Sequence, residues 1–338
     1  MTLSALTSAA QLGSRLRLRF ERAGNKHQLA GDTGACIEPM TRENRKTVAG
    51  GGRPDVLVAS DKLMDALAKV TRDATQKAPE PIAAAAFKRW SKTASAATGA
   101  VEDIDIFASE AAFAASARIA IEGKVATQET DFKGFCPHLF SSPLFSWYEP
   151  PANVRVEVLR ALSAQDATES SDLLGWLYQF SIPEEIRKRF GQFYTRPAIV
   201  EGMLDNLGFS GSKILESRLI DPAVGAGAFA IGATRRVIEA AEEAGMEGAD
   251  VCRAVQRVVH GLDLNPLGIL LTEAAIALML APHLENAAGA ELDPLHLYVT
   301  DSLRSGELAG EEHVDVVEDI KARRGAYEDG FGYVIANP

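Results

Sequence analysis

At 338 residues the chain has room for about two domains, and with 46% hydrophobic and 24% charged residues it reads as a globular protein with material for a sizeable core. A formal net charge of −11 excludes a protein that grips DNA with its whole surface. No run of about eighteen or more apolar residues appears, which predicts no transmembrane helix. Met1 to Ala10 lacks the basic leader and apolar run of a signal peptide. Cys36, Cys136 and Cys252 lie far apart and fit neither a zinc spacing nor a disulfide framework. A cytoplasmic protein without membrane attachment is the expectation.

Residues 1–60 carry little periodicity, and Ala23 to Gly52 reads as an irregular excursion rich in Gly, Asn, Asp and Thr. Two basic clusters oppose the acidic total: Arg15, Arg17, Arg19 and Arg22, then Arg187, Lys188, Arg189 and Arg196. Asp61 to Gln76 is predicted as an amphipathic helix with Leu63, Leu67 and Val70 on one face and Asp61 as N-cap. Pro79 and Pro81 end it. Helices are also predicted over Ala83 to Lys92 and over Ile106 to Gly123, the latter with Phe107, Ala111, Ala114, Ile119 and Ile121 placed for burial. Ser141 to Pro151 reads as an aromatic, proline-bounded loop. Val154 to Ala161, Leu173 to Phe180 and Ile182 to Phe190 complete a helical series. Pro54-Asp55 with Glu122-Gly123-Lys124 superficially suggests a metal-dependent nuclease, but the gap is very long and Glu122 falls on a helical pattern; this reads as chance.

The pattern then changes. Leu219 and Ile220 end a short strand, Phe229 to Ala244 is a long helix, Gly248 to Arg257 a second helical piece, and Val258 to Asp263 a second strand. Pro266 to Ala281 reads as a helix, Leu297 to Val299 as a third strand and Tyr333 to Ala336 as a fourth. Strands alternating with helices imply βαβ units and a parallel sheet. The expected organisation is a mainly helical region over residues 1–150, a helical connector over 151–190, and an α/β domain over 191–338.

Each strand end delivers chemistry. After the first comes Asp221-Pro222-Ala223-Val224-Gly225-Ala226-Gly227-Ala228-Phe229. Its glycines would let backbone approach a ligand, and the helix start presents free N–H groups. Ala230 stands where a dinucleotide fingerprint has its third glycine, which that fingerprint tolerates, so spacing alone leaves NAD open. The leading Asp-Pro points elsewhere, because a carboxylate there repels a pyrophosphate and suits a cationic aminoacyl group. After the second strand, Asp263-Leu264-Asn265-Pro266 puts a carboxylate where ribose hydroxyls could be accepted, or where a turn and helix cap would want one. After the third, Thr300-Asp301-Ser302 offers a carboxylate to an adenine amino group, or caps a loop. After the fourth come Asn337 and Pro338.

Upstream, Phe190-Gly191-Gln192-Phe193-Tyr194-Thr195-Arg196-Pro197 resembles the Gly-Gln-Phe-Tyr-Thr-Pro motif of N6-adenine-specific DNA methyltransferases of the restriction-modification type, with Arg196 inserted before the proline. The glycine loop is similar to the Asp-Pro-Ala-Cys-Gly-Ser-Gly-x-Phe of that family, with Val224 for Cys and Ala226 for Ser. The resemblance covers roughly Leu173 to Pro338. It implies a Rossmann-like S-adenosylmethionine-dependent methyltransferase fold, incomplete at its C-terminus and preceded by a mainly helical domain. It further implies that Phe193, Tyr194 and Thr195 flank the methionine part of the cofactor. Asp221, Ala223, Gly225 and Gly227 would form its main pocket, Asp263 with Leu264 the ribose site, and Asp301 with Ser302 the adenine site. Asn337 and Pro338 would open the Asn-Pro-Pro-Tyr/Phe catalytic motif. The implied reaction is methyl transfer to the amino group of a flipped adenine, without a metal. The second Pro and the aromatic of that motif do not follow, so the expectation is that the chain binds cofactor but is catalytically incomplete alone. Double-stranded DNA would be bound through a C-terminal region beyond it, with a specificity or restriction subunit as a further partner. A protein-glutamine or RNA-base methyltransferase, or a degenerate non-catalytic methylase subunit, remains as an alternative.

Overall fold

The computed structural model describes residues 61–98, 103–125, 132–163, 195–287, 290–300, 302 and 330–337. The N-terminal excursion, the helices expected over 173–190, all basic-cluster residues but Arg196, Pro54-Asp55, and Phe193, Tyr194, Asp301 and Pro338 lie outside that set.

The helical series begins with α1 (Asp61–Lys77), α2 (Pro81–Thr98) and α3 (Ile104–Val125). Leu67 and Val70 of α1 are buried at the spacing of one helical face. Asp61 is the first helical residue, and Asp103 caps α3 by accepting from Asp105 N and Ile106 N at 2.9 and 3.2 Å. Phe107, Ala111, Ala114, Ile119 and Ile121 are all buried. Alanine is used on every side of α3 because α3 is enclosed on every side: α1, α6 (Ala152–Ser163) and the helix Pro266–Glu285 pack around it. Two short helices, α4 (Phe132–Phe135) and α5 (Pro137–Ser141), precede the aromatic loop. In that loop Tyr148 is fully buried, and its hydroxyl lies 3.0 Å from both Val70 O and Asp73 Oδ2.

The second half opens with α7 (Pro197–Asn206) and a 3₁₀ turn at Ser212–Glu216. Strand β1 (Leu219–Asp221) leads through the glycine loop to α8 (Ala228–Glu243) and α9 (Ala249–Val258). Strand β2 (Val259–Asp263), α10 (Pro266–Glu285), β3 (His296–Val299) and β4 (Tyr333–Val334) follow. All pairings are parallel, in the order β3-β2-β1-β4. The chain thus steps outward from β1 to β3 and returns to the other side of β1 for β4. That reversal makes the carboxyl ends of β1 and β4 a topological switch point, the place where ligands bind in open α/β sheets.

Helix α10 is apolar and long enough to cross a membrane by length and composition alone, which the count of consecutive apolar residues did not anticipate. It is the core helix instead: it carries the buried polar side chains of Thr272 and Glu273 and contacts α3, α5, α8 and α9 besides β2 and β3. Residues 57–302 and 309–338 form one compact unit, which holds every described residue. Polar groups tie the seam between helices and sheet, where Leu295 N donates to Phe135 O at 3.1 Å. Glu273, fully buried on α10, accepts from Leu139 N at 2.9 Å and lies 2.8 Å from His138 Nδ1. Glu122 sits on α3 and pairs with Arg155, a structural role that leaves the nuclease pattern without a strand-borne carboxylate.

Candidate functional site at the strand ends

The loop after β1 is built by close approach. Gly225 and Gly227 have φ of 53° and 91°, the left-handed region open to glycine. A Cβ on Gly227 would come within 2.7 Å of Thr272 Oγ1, and one on Gly268 within 2.6 Å of the Gly225 carbonyl oxygen. The loop therefore lies directly on the start of α10. Two hydrogen bonds stitch it to β2: Val224 N donates to Leu262 O at 2.9 Å, and Gly225 N donates to Asp263 Oδ2 at 2.7 Å. Gly227 is the N-cap residue of α8 and has no side chain to offer, so the first turn of α8 receives no side-chain cap.

Two carboxylates face this loop. Asp221 is buried, and its Oδ1 accepts from Ala223 N at 3.0 Å. Burial, and then the neighbouring Asp263 charge, push its carboxyl up to about 7, against the lowering effect of the Ala223 N–H. Asp263 is half-buried, its Oδ1 accepts from Asn265 N at 2.7 Å, and burial pushes its carboxyl up as well. The backbone N–H groups of Asn265, Gly225 and Leu264 all bond the Asp263 carboxylate, which still leaves lone-pair capacity for a hydroxyl donor. Leu264 is half-buried beside it, and Asn265 caps α10 by accepting from Leu267 N at 3.0 Å. The turn-and-cap duty foreseen for this segment is real, and Asn265 carries it together with Asp263.

Thr300 N donates to Asp263 O at 2.8 Å, which sets the end of β3 beside that of β2, and Ser302 is half-buried just beyond. On the other flank, β4 is held by Tyr333 N to Arg218 O and Ile335 N to Ile220 O, at 3.0 and 3.1 Å. Asn337 follows two residues later and is exposed; its Nδ2 donates to Thr195 Oγ1 at 3.2 Å. Thr195 itself is buried. Residues 142 positions apart are thereby joined at the end of the sheet. Among the predicted residues, Asp221, Ala223, Gly225, Gly227, Asp263 and Leu264 gather at the ends of β1 and β2, and Thr195 with Asn337 stand at the end of β4.

Sequence reasoning missed two supports. One is α7, which delivers Thr195; Pro197 at its first turn and Val200 and Leu204 four residues apart were the available signal. The other is Arg236 on α8, which donates to Glu201 Oε2 at 2.6 Å, to Asp205 Oδ1 at 2.8 Å and to Phe209 O at 3.0 Å, tying α7 to α8. Gly232 permits that contact, since a Cβ there would fall 2.5 Å from Val200 Cγ1. Cys136 and Cys252 are buried free thiols whose ionisation burial pushes up, Cys252 to about 12. Among the described residues no cluster of three or more His, Cys, Asp or Glu is arranged to hold a metal ion.

No protein-family model matches the chain. In sequence it is 33% identical over 182 residues to the adenine-specific methyltransferase PglX of Streptomyces coelicolor, a match that covers 48% of this chain and 15% of the relative. The chain thus spans under a sixth of that curated relative. Among solved structures it is similar to a DrdV–DNA complex (TM-score 0.49, 16% identity, 82% of this chain and 28% of that one). It is also similar to the Type ISP restriction-modification enzyme LlaGI with a DNA substrate mimic (0.45, 14%, 78% and 23%). The DNA-bound Type ISP enzyme LlaBIII is a third (0.46, 13%, 82% and 20%). Part of this chain is therefore homologous to an adenine-specific methyltransferase.

Proposed function

We propose that this chain carries the S-adenosylmethionine-binding part of a Rossmann-like, site-specific DNA adenine-N6 methyltransferase of a restriction-modification or related defence system. The observation that carries the reading is the meeting, at one sheet end, of a glycine loop pinned to Asp263 with a Thr195–Asn337 pair. The partial relationship to an adenine-specific methyltransferase supports the choice of reaction.

The residues present fit the cofactor. Two carboxylates pushed upward by burial favour a cation beside them, and the α-amino and sulfonium groups of S-adenosylmethionine supply that charge. In this reading Asp221, Ala223, Gly225 and Gly227 hold the aminoacyl arm, with Phe193, Tyr194 and Thr195 flanking it. Asp263 and Leu264 take the ribose, and Asp301 and Ser302 the adenine. The cofactor supplies a methyl group already activated on sulfur, so the protein's work is positioning and electrostatics. The target adenine is extruded from the duplex. Its amino nitrogen is a poor nucleophile because the lone pair is delocalised into the ring. Asn337 Oδ1 and a backbone carbonyl at Pro338 accept its two hydrogens and favour the more pyramidal, more nucleophilic form. DNA, and a specificity or restriction subunit, are the partners of this reading.

The test is the N6-methyladenine content of genomic DNA in the host strain and in a strain lacking the gene. Loss of N6-methyladenine at one sequence motif in the deleted strain, restored by the wild-type gene and not by Asn337→Ala, is the expected result. An unchanged methylation pattern overturns the reading.

A further inference from the structure

We infer that Thr195 is a positioning residue for Asn337: its hydroxyl oxygen takes one Nδ2 hydrogen and so turns the amide oxygen of Asn337 away from the protein, toward the target amino group. This inference rests on the proposed methyl transfer to an amino nitrogen and adds to it a role that the sequence gives to no residue.

The argument begins with the amide. An Asn side chain has an acceptor end and a donor end of nearly equal size, and an exposed one has little reason to prefer either orientation. Asn337 is exposed, on irregular backbone just past β4. A hydrogen-bonding reaction partner needs the oxygen in one place, and a flipped amide would present N–H groups to the amino group it should accept from. In the structure Thr195 Oγ1 holds the Nδ2 end at 3.2 Å, which leaves the amide oxygen as the free end.

Such a bond orients only if its acceptor is itself fixed, and Thr195 is. It is 8% exposed and lies two residues before α7, whose first residue is Pro197 and whose cap residue Arg196 is extended. Helix α7 is clamped to α8 by Arg236, a side chain only 12% exposed, through Glu201 and Asp205. The first turn of α8 in turn follows the glycine loop. On the donor side, Ile335 is buried and hydrogen-bonded to β1 two residues before Asn337, and Tyr333 packs edge-on against Phe209 with ring centroids 5.0 Å apart. Phe209 O also accepts from Arg236. One arginine thus braces both the segment after Thr195 and the residue under β4, so the two ends of the bond are referred to the same scaffold.

The experiment uses the full-length gene product with Thr195→Val, which keeps the shape and removes the hydroxyl, and Thr195→Ser, which keeps the hydroxyl. Crystal structures of the wild type and both variants read the Asn337 side chain directly. The expected result is a side chain held on the hydroxyl of residue 195 in wild type and Thr195→Ser, and turned elsewhere in Thr195→Val. An Asn337 side chain placed identically in Thr195→Val overturns the inference. Kinetics on unmethylated DNA from the gene-deleted strain supply the second arm. Thr195→Val should lower kcat by about tenfold, the loss of one orienting hydrogen bond, while Thr195→Ser stays within about threefold of wild type. Because Thr195 also flanks the cofactor in the proposed site, calorimetry reads the cofactor Kd alongside: in Thr195→Val any rise in Kd should be smaller than the fall in kcat. A raised cofactor Kd with kcat intact means that Thr195 serves the cofactor alone, and overturns the inference. A wild-type protein that binds cofactor and methylates nothing sinks the proposed reaction instead, and the crystal structures still decide the Thr195–Asn337 link.

Discussion

The helices of residues 61–163 and the sheet region of residues 195–337 treat their buried polar groups in opposite ways. In the helices most such groups are closed off by a partner inside, Ser91 Oγ and Trp147 Nε1 being exceptions among the described residues. Trp90 Nε1 donates to Glu110 Oε2 at 2.6 Å, Tyr148 bonds Val70 O and Asp73, and Arg118 donates to the Tyr148 carbonyl at 2.9 Å. At the strand ends Asp221 and Asp263 accept backbone N–H groups and still have their carboxyls pushed upward, because burial disfavours their charge. Buried polar groups that are satisfied specify a fold, and those left with capacity mark a place where something else binds. Glu273 ties the two regions together through Leu139 N and His138 Nδ1.

Glu273→Leu should break the comparison at its seam. It removes the acceptor of buried Leu139 N and one partner of His138, and we expect a loss of about 3 kcal/mol in urea unfolding. A loss below about 1 kcal/mol would mean that Glu273 is not what holds the seam. Gly227→Ala acts on the sheet region only. Its new Cβ would meet Thr272 Oγ1 at 2.7 Å from a backbone at φ 91°, so a cost of about 2 kcal/mol and loss of cofactor binding are expected together. Retained cofactor affinity in a folded Gly227→Ala protein would show that the loop does not shape the site. Glu110→Ala acts on the helices only. It leaves the buried Trp90 Nε1 without that acceptor and should cost about 1–2 kcal/mol while cofactor affinity stays constant. A shift in cofactor Kd would couple the regions more tightly than their geometry implies.

A further effect is on pH dependence. Asp221 ionises near 3.8 in the unfolded chain and near 7 in the folded one, so the fold favours its protonated form. Its contribution to stability is present below about 4 and falls away as pH rises toward about 7. A cationic ligand works the other way, since only the ionised carboxylate attracts it. Comparing Asp221→Asn with wild type across that window should show a flatter thermal-stability profile in the variant. Cofactor affinity should strengthen with rising pH in the wild type alone. Parallel profiles in the two proteins would remove Asp221 from the site.

Much of the sheet region was legible because its signals are local. A short apolar strand, a glycine turn and an acidic residue sit within a few positions of one another; Asp263 and Val299 end their strands as the pattern put them, while β1 runs one residue on to Asp221 and β4 stops at Val334, short of Ala336. Periodicity likewise found the buried face of α3 through Phe107 and Ile121. The reading of Pro266 to Ala281 stopped too soon because Pro282 is a helix breaker by propensity. The helix runs on to Glu285, where burial of Leu284 outweighs the one backbone bond that proline removes. Helices α4 and α5 are four and five residues long, too short for any period to register. Leu139 in α5 is held by Glu273, 134 positions away, which no local window contains. The bond between Thr195 and Asn337 was invisible for the same reason: each residue belongs to a readable motif, but only the sheet order, with β4 returned beside β1, brings them together.

The account stands on a cofactor held at the strand ends, and calorimetric titration of the full-length protein with S-adenosylmethionine tests it most directly. The account predicts saturable binding in the wild type and a Kd raised by about a hundredfold in Asp263→Ala, the loss of two hydrogen bonds to a charged acceptor. Absence of binding by the folded wild-type protein, or equal affinity in a folded Asp263→Ala variant, would contradict it.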